Sequence, residues 1–200
     1  MASDYHHGDL PTALRAAAVE LIAESGPNGF SLREVARRAG VSHAAPAHHF
    51  GDAEGLLTSV ATEGYAHLAT QMQRVAESST SARDRLIGCG RAYVETALAN
   101  PGHYGVMIGH DYVNQDDAAL ILASFSAYEQ LLETIYALRD TYNPDLDVER
   151  TATLCWATMH GLVELAPILQ HVADNTDTAA TAVTDLVASY ADSVIAGAQH

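Results

Sequence analysis

Apolar residues recur every three to four positions through most of this 200-residue chain, the spacing of helices that each bury one face. Leu14, Ala18, Leu21 and Ile22 mark a first helix from about Pro11 to Ser25, which Ser25-Gly26-Pro27 stops. A short pair follows at about 31–39 and 42–49. A long helix over about 53–77 aligns Leu57, Val60, Ala61, Gly64, Leu68 and Met72. The next, over about 81–99, opens on the capping pattern Ser81-x-x-Asp84. Asn100-Pro101 starts a short helix carrying Tyr104, Met107 and Ile108. Helices over about 116–141, 147–171 and 177–197 complete the chain, with Asn143-Pro144 as a break. No segment alternates in the manner of a strand, and no repeat or low-complexity run interrupts the pattern. The expected fold is all-α: a three-helix domain at 1–52 and a larger helical domain at 53–200.

The segment 30–50, FSLREVARRAGVSHAAPAHHF, is the most specific. Ser31 and Glu34 have the spacing of a capping box, with Phe30 and Val35 at the positions of a hydrophobic staple. Ala36 is small and stands four residues before Gly40, which supplies the left-handed residue that ends a helix. Val41 would then plug the corner, and Ser42 would cap the second helix. These features in one register predict a helix-turn-helix, whose second helix lies in the major groove of DNA.

Charge complicates that expectation. Ten arginines, no lysine and 25 acidic residues give a net charge of −15, whereas DNA binding usually needs a basic surface. The distribution matters more than the total. Residues 1–50 hold four arginines against five acids, whereas residues 51–200 hold six against 20. The acid therefore lies mainly outside the helix-turn-helix, where it names no partner and serves solubility. Cys89 and Cys155 sit far apart in apolar helical patterns, with no CxxC pair to make a zinc or redox site. Both read as buried core thiols. No metal and no cofactor is expected. No signal peptide or membrane span is evident, so a cytoplasmic protein with no membrane partner is expected.

YHHGDL at 5–10, FSLREVARRAGVSHAAP at 30–46 and HHF at 48–50 together resemble the TetR family of bacterial repressors. WATMHGL at 156–162 resembles a C-terminal class of that family marked by Trp, His and Gly, the WHG class. The resemblance implies a homodimer built on the last two helices of each subunit, at 147–171 and 177–197. It implies a ligand cavity beneath them and repression of a DNA operator relieved by a small-molecule inducer. Two positions depart from the family: a Tyr is common where Ala47 stands and a Lys where Ala53 stands. Both usually touch phosphate, so their loss should weaken binding and flatten its salt dependence.

Candidate DNA-binding residues are Ser31, Arg33, Ser42, His43, Ala44, Ala45, Ala47, His48 and His49. Ser31 and Arg33 would hold phosphate, Ser42 to Ala45 would read bases, and Ala44 and Ala45 suit thymine methyls. His48 and His49 would donate to phosphate, most strongly when protonated, or His49 would pack Phe50 into the small domain. The helix at 147–171 carries Leu154, Thr158, Gly161, Leu162, Leu165 and Leu169 on one stripe and Trp156, Met159, His160 and Val163 on the next. A helix apolar on two sides is covered on two sides. The last helix carries one stripe: Val183, Leu186, Val187, Tyr190 and Val194. Candidate ligand-binding residues are Tyr93, Tyr104, Met107, His110, Phe125, Tyr128, Trp156, Met159 and His160. They describe a pocket for a neutral, apolar or aromatic effector, and equally a helical core. No cationic clamp for a carboxylate is apparent, and Glu164 would favour an amine if it pointed inward.

Two rivals remain open at this stage. One is a helical interaction or ligand-binding protein with weak or lost DNA binding. The other is an enzyme, which lacks support: the chain has no HExxH, GxSxG, P-loop or ExxH pattern.

Overall fold

A computed structural model describes residues 10–172 and 176–198; the side chains of 110, 169–172, 176–184 and 198 lie outside the described part. Among the described residues there is no strand. The helices are α1 (Leu10–Ser25), α2 (Leu32–Arg38), α3 (Ala45–Phe50), α4 (Ala53–Ser78), α5 (Ala82–Ala99), α6 (Pro101–Met107), α7 (Ala118–Tyr142), α8 (Val148–Val172) and α9 (Thr176–Ala198). The all-α expectation is met, and the long helices begin and end within one or two residues of their expected limits. Residues 5–9 of the YHHGDL segment, and the side chains of Leu169 and Val183, lie outside the described residues.

The helix α3 differs most from expectation. It starts at Ala45 rather than Ser42, because Pro46 belongs in a helix's first turn. A start at Ser42 would place Pro46 where its missing N–H leaves the Ser42 carbonyl unpaired. The Ser42 carbonyl instead accepts the Ala45 N–H at 3.0 Å in a tight turn. The residue preceding the helix is Ala44, with no side-chain cap.

The chain forms two compact units. Among the described residues, the first comprises 10–65 and 100–124. Here α1 buries Leu14, Ala17, Ala18, Leu21 and Ile22, and packs against α2, α3 and α6. Gly102 explains how close α6 comes to α1: a Cβ there would stand 2.2 Å from the Val19 carbonyl oxygen. The first turns of α4 add Leu56, Val60 and Ala61, all fully buried. The Tyr65 hydroxyl donates to the Met107 carbonyl at 2.9 Å.

The second unit comprises residues 66–99 and 125–200, and in it α5, α8 and α9 pack on one another. Ser81 caps α5 as expected, its Oγ accepting the Asp84 N–H at 3.0 Å. Arg83 donates twice to Asp192 on α9, at 2.6 and 2.8 Å. Cys89 and Cys155 are free and buried, and burial pushes the Cys155 thiol up to about 11.

Candidate nucleic-acid interface and effector cavity

The turn between α2 and α3 is closed by the backbone. Gly40 has φ +68°, the left-handed conformation its position requires. The Gly40 N–H donates to the Arg37 carbonyl at 3.3 Å and the Val41 N–H to the Ala36 carbonyl at 3.0 Å. That pair of bonds is a Schellman motif, which satisfies the last carbonyls of α2. Val35 and Ala36 are fully buried. Pro46 is buried too, so α3 is anchored on one side and open on the other.

The anticipated capping box does not form. Ser31 precedes α2 in extended conformation and makes no side-chain cap. The Glu34 carboxylate, the other half of the box, turns toward the far end of the helix. It takes Arg37 at 2.6 and 2.8 Å and Arg38 at 3.1 Å. Arg38 also reaches Glu24 on α1 at 2.6 and 2.9 Å. The two guanidiniums, Arg37 first and Arg38 second, hold the Glu34 carboxyl down to about 2. The spacing Glu34, Arg37, Arg38 is a sequence signal for this network, since residues three and four apart share a helix face.

Of the expected DNA-binding residues, Ser31, Arg33, Ser42, His43, Ala44, Ala47, His48 and His49 are exposed and Ala45 half-buried. The rings of His48 and His49 meet edge to face at 5.3 Å, and His49 lies 6.5 Å from Phe50. The segment 42–49 thus presents small residues and imidazoles to solvent. Arg15 is tied to Glu63 at 2.7 Å. Among the described residues, Arg33 is the one arginine of 1–52 outside an ion pair.

The expected effector residues divide. Tyr93, Tyr128, Trp156 and His160 form one aromatic cluster in the second unit, with Trp156 5.1 Å from Tyr93 and 5.6 Å from Tyr128. The Tyr93 hydroxyl is hydrogen-bonded to His160 Nδ1. Tyr93, Trp156 and Met159 line a cavity of about 20 Å³ with Met72, Cys89, Gly90, Cys155, Val187 and Tyr190. That volume holds about one water. No charged side chain lines it. Tyr104 and Met107 belong to the first unit, where both are buried. Phe125 is 54 % exposed on α7 and does not line the cavity. The side chain of His110 lies outside the described residues. Glu164 is exposed, so it supplies no buried counter-charge for an amine.

On α8 the two apolar stripes have different fates. Ala152, Cys155, Met159, Val163 and Ala166 are buried, whereas Leu154, Leu165 and Ile168 are 52 %, 49 % and 59 % exposed. A Cβ on Gly161 would meet nothing within 4 Å.

These features define a helix-turn-helix protein with a separate helical core. Residues 14–60 match the family described as bacterial regulatory proteins, tetR family, and residues 86–190 match the tetracyclin repressor-like C-terminal domain. The second match spans more than half of the chain, so the chain belongs to the tetR family and is a DNA-binding transcriptional regulator. It is 26 % identical over 162 residues to the HTH-type transcriptional repressor Rv3405c of Mycobacterium tuberculosis, covering 81 % of this chain and 76 % of that one. Among solved structures, a protein of unknown function from Rhodococcus sp. RHA1 superposes with a TM-score of 0.81 at 30 % identity, over the whole of both chains. A tetR-family regulatory protein from Rhodococcus RHA1 shares the fold with a TM-score of 0.74 at 19 % identity, over 96 % of this chain and 97 % of that one.

Proposed function

We propose that this protein is a homodimeric, cytoplasmic repressor that a neutral, apolar effector releases from its operator. The observation that carries the DNA-binding part is the contrast within 31–49. Val35, Ala36 and Pro46 are buried, while Ser42, His43, Ala44, Ala47, His48 and His49 all face solvent. Residues 1–52 act as the reading head, and residues 53–200 sense and dimerise. Ser31 and Arg33 bind phosphate, and Ser42 to Ala45 read base edges and thymine methyls.

The dimer forms through α8 and α9. Leu154, Leu165, Ile168 and, on α9, Leu186 are large apolar side chains left in water by the single chain. Gly161, with open space beside it, lets a second helix approach closely. The effector enters at Trp156 and Tyr93. The cavity is small as it stands, and Met72 and Met159, the most adaptable side chains of its wall, must shift to admit a molecule. An uncharged lining selects an uncharged ligand, because a buried charge would have no partner. No helix among the described residues is long and apolar enough to cross a membrane.

A second reading is a ligand-binding helical protein that has lost DNA binding. The self-pairing of Arg15, Arg37 and Arg38 favours it, as do Ala47 and Ala53. Gel shifts with the DNA upstream of the protein's own gene, at low and moderate salt, separate the two. A shift that weakens as salt rises supports the repressor. No shift at the lowest salt supports the second reading.

A further inference from the structure

The ion pairs of α2 are unequal. The Arg38 side chain is 20 % exposed and bridges α2 to α1 through Glu24. The Arg37 side chain is 68 % exposed and pairs with Glu34 on its own helix. Arg33 and Arg37 are four residues apart and share one side of α2, turned away from buried Val35. Ser31 is exposed immediately before the helix. Arg37 thus extends the side of α2 on which Arg33 is proposed to bind phosphate.

We propose that Arg37 is a phosphate-binding residue of the reading head, held by Glu34 when DNA is absent and transferred to a backbone phosphate when DNA is bound. The inference rests on the DNA-binding reading of the head. The exchange replaces one two-bond guanidinium–carboxylate pair with one guanidinium–phosphate pair of the same geometry. Glu34 is not stranded when Arg37 leaves, because Arg38 Nε still donates to it at 3.1 Å. An exposed ion pair in water contributes little, whereas each neutralised phosphate releases counterions. The transfer is therefore favoured at low salt and reversed at high salt. Arg38 does not make the same move, since its departure would unfasten two carboxylates and the link between α1 and α2. Glu34 thereby sets how much cation the head offers, in a head where Ala47 carries no hydroxyl and the adjoining Ala53 no charge.

The test is a salt series of anisotropy titrations with two labelled duplexes, one from the DNA upstream of the gene and one of random sequence and equal length. Arg37→Gln should lower the slope of log affinity against log salt by about 0.9 for each head bound. At 0.1 M salt it should weaken binding about eightfold per head, equally on both duplexes. Glu34→Gln should strengthen binding roughly three- to eightfold, because the competitor is gone. Glu20→Gln, at an exposed position on α1, makes the same charge change and should do much less. An Arg37→Gln slope equal to wild type overturns the proposal, even if Glu34→Gln unfolds. So does a Glu34→Gln gain no larger than that of Glu20→Gln. Wild-type protein that binds neither duplex overturns the DNA-binding reading itself.

Discussion

The reading head and the aromatic core place their chemistry on opposite sides of their surfaces. In the head, Val35, Ala36 and Pro46 are buried and hold the segment, and the side chains proposed to touch DNA, from Ser42 to His49, are the exposed ones. In the core, Tyr93, Met159 and Cys155 are buried structural residues and also part of the wall of the cavity beside Trp156. A head can change its specificity through surface residues at little cost to its fold. A core cannot change its ligand without repacking itself, because one set of side chains does both tasks. Electrostatics divides the same way. The head manages exposed charges by pairing them, whereas the cavity has no charge to manage.

If single heads sufficed for binding, the apolar face on α8 and α9 would be dispensable for it. Replacing Leu165 and Ile168 by Glu puts charge on an exposed apolar face without disturbing buried side chains. Sedimentation should then show a monomer, and affinity for a two-site duplex should fall about 10²- to 10⁴-fold through lost avidity. A variant that stays dimeric would place the interface elsewhere than α8 and α9.

A smaller effect would sharpen the core side. Gly90 lines the cavity, and a Cβ there would stand 2.8 Å from Val187 Cγ1 and 3.1 Å from Met159 Sδ. Gly90→Ala should therefore fill part of the space the effector uses. The chain has one tryptophan, Trp156, and it borders the cavity, so its emission reports occupancy directly. Toluene should quench or shift that emission in the wild type, and Gly90→Ala should weaken the response roughly tenfold at constant DNA affinity. Benzoate and benzylamine should do less, since each would bury a charge. Equal responses to all three would show that the uncharged wall does not select.

Long helices were readable in the sequence because their apolar spacing extends over five or more turns, as in α4 and α8. The turn at Gly40 was readable because a single backbone conformation demands that residue. The start of α3 is not legible from Ser42, which offers a cap, because Pro46, four residues on, sets where the helix begins. The spacing Ser31-x-x-Glu34 does not reveal that the Glu34 carboxylate goes to two arginines on the same helix, because spacing alone does not rank its possible partners. Phe125 is an aromatic residue among aromatics in the sequence, yet its angular position on α7 turns it to solvent. Identity names the chemistry a side chain carries; only packing says whether it points at a void.

The smallest effect tests the head through pH. Glu34 is held at about 2, so its folded value lies below the ordinary carboxylate range. Its pairing with Arg37 and Arg38 is therefore complete above that range and lost only as pH falls toward 2. Between pH 6 and 8 this network does not change charge. His43, His48 and His49 are the exposed imidazoles of 42–49. Protonation adds positive charge next to phosphate, so the bound state takes up protons and affinity should rise as pH falls. Roughly a three- to tenfold gain is expected between pH 8 and pH 6 at low salt, shrinking as salt screens it. His48→Gln with His49→Gln should flatten the profile, whereas Glu34→Gln should move the whole curve upward without changing its shape. A flat wild-type profile would remove histidine from the phosphate contacts and leave α2 as the head's source of positive charge.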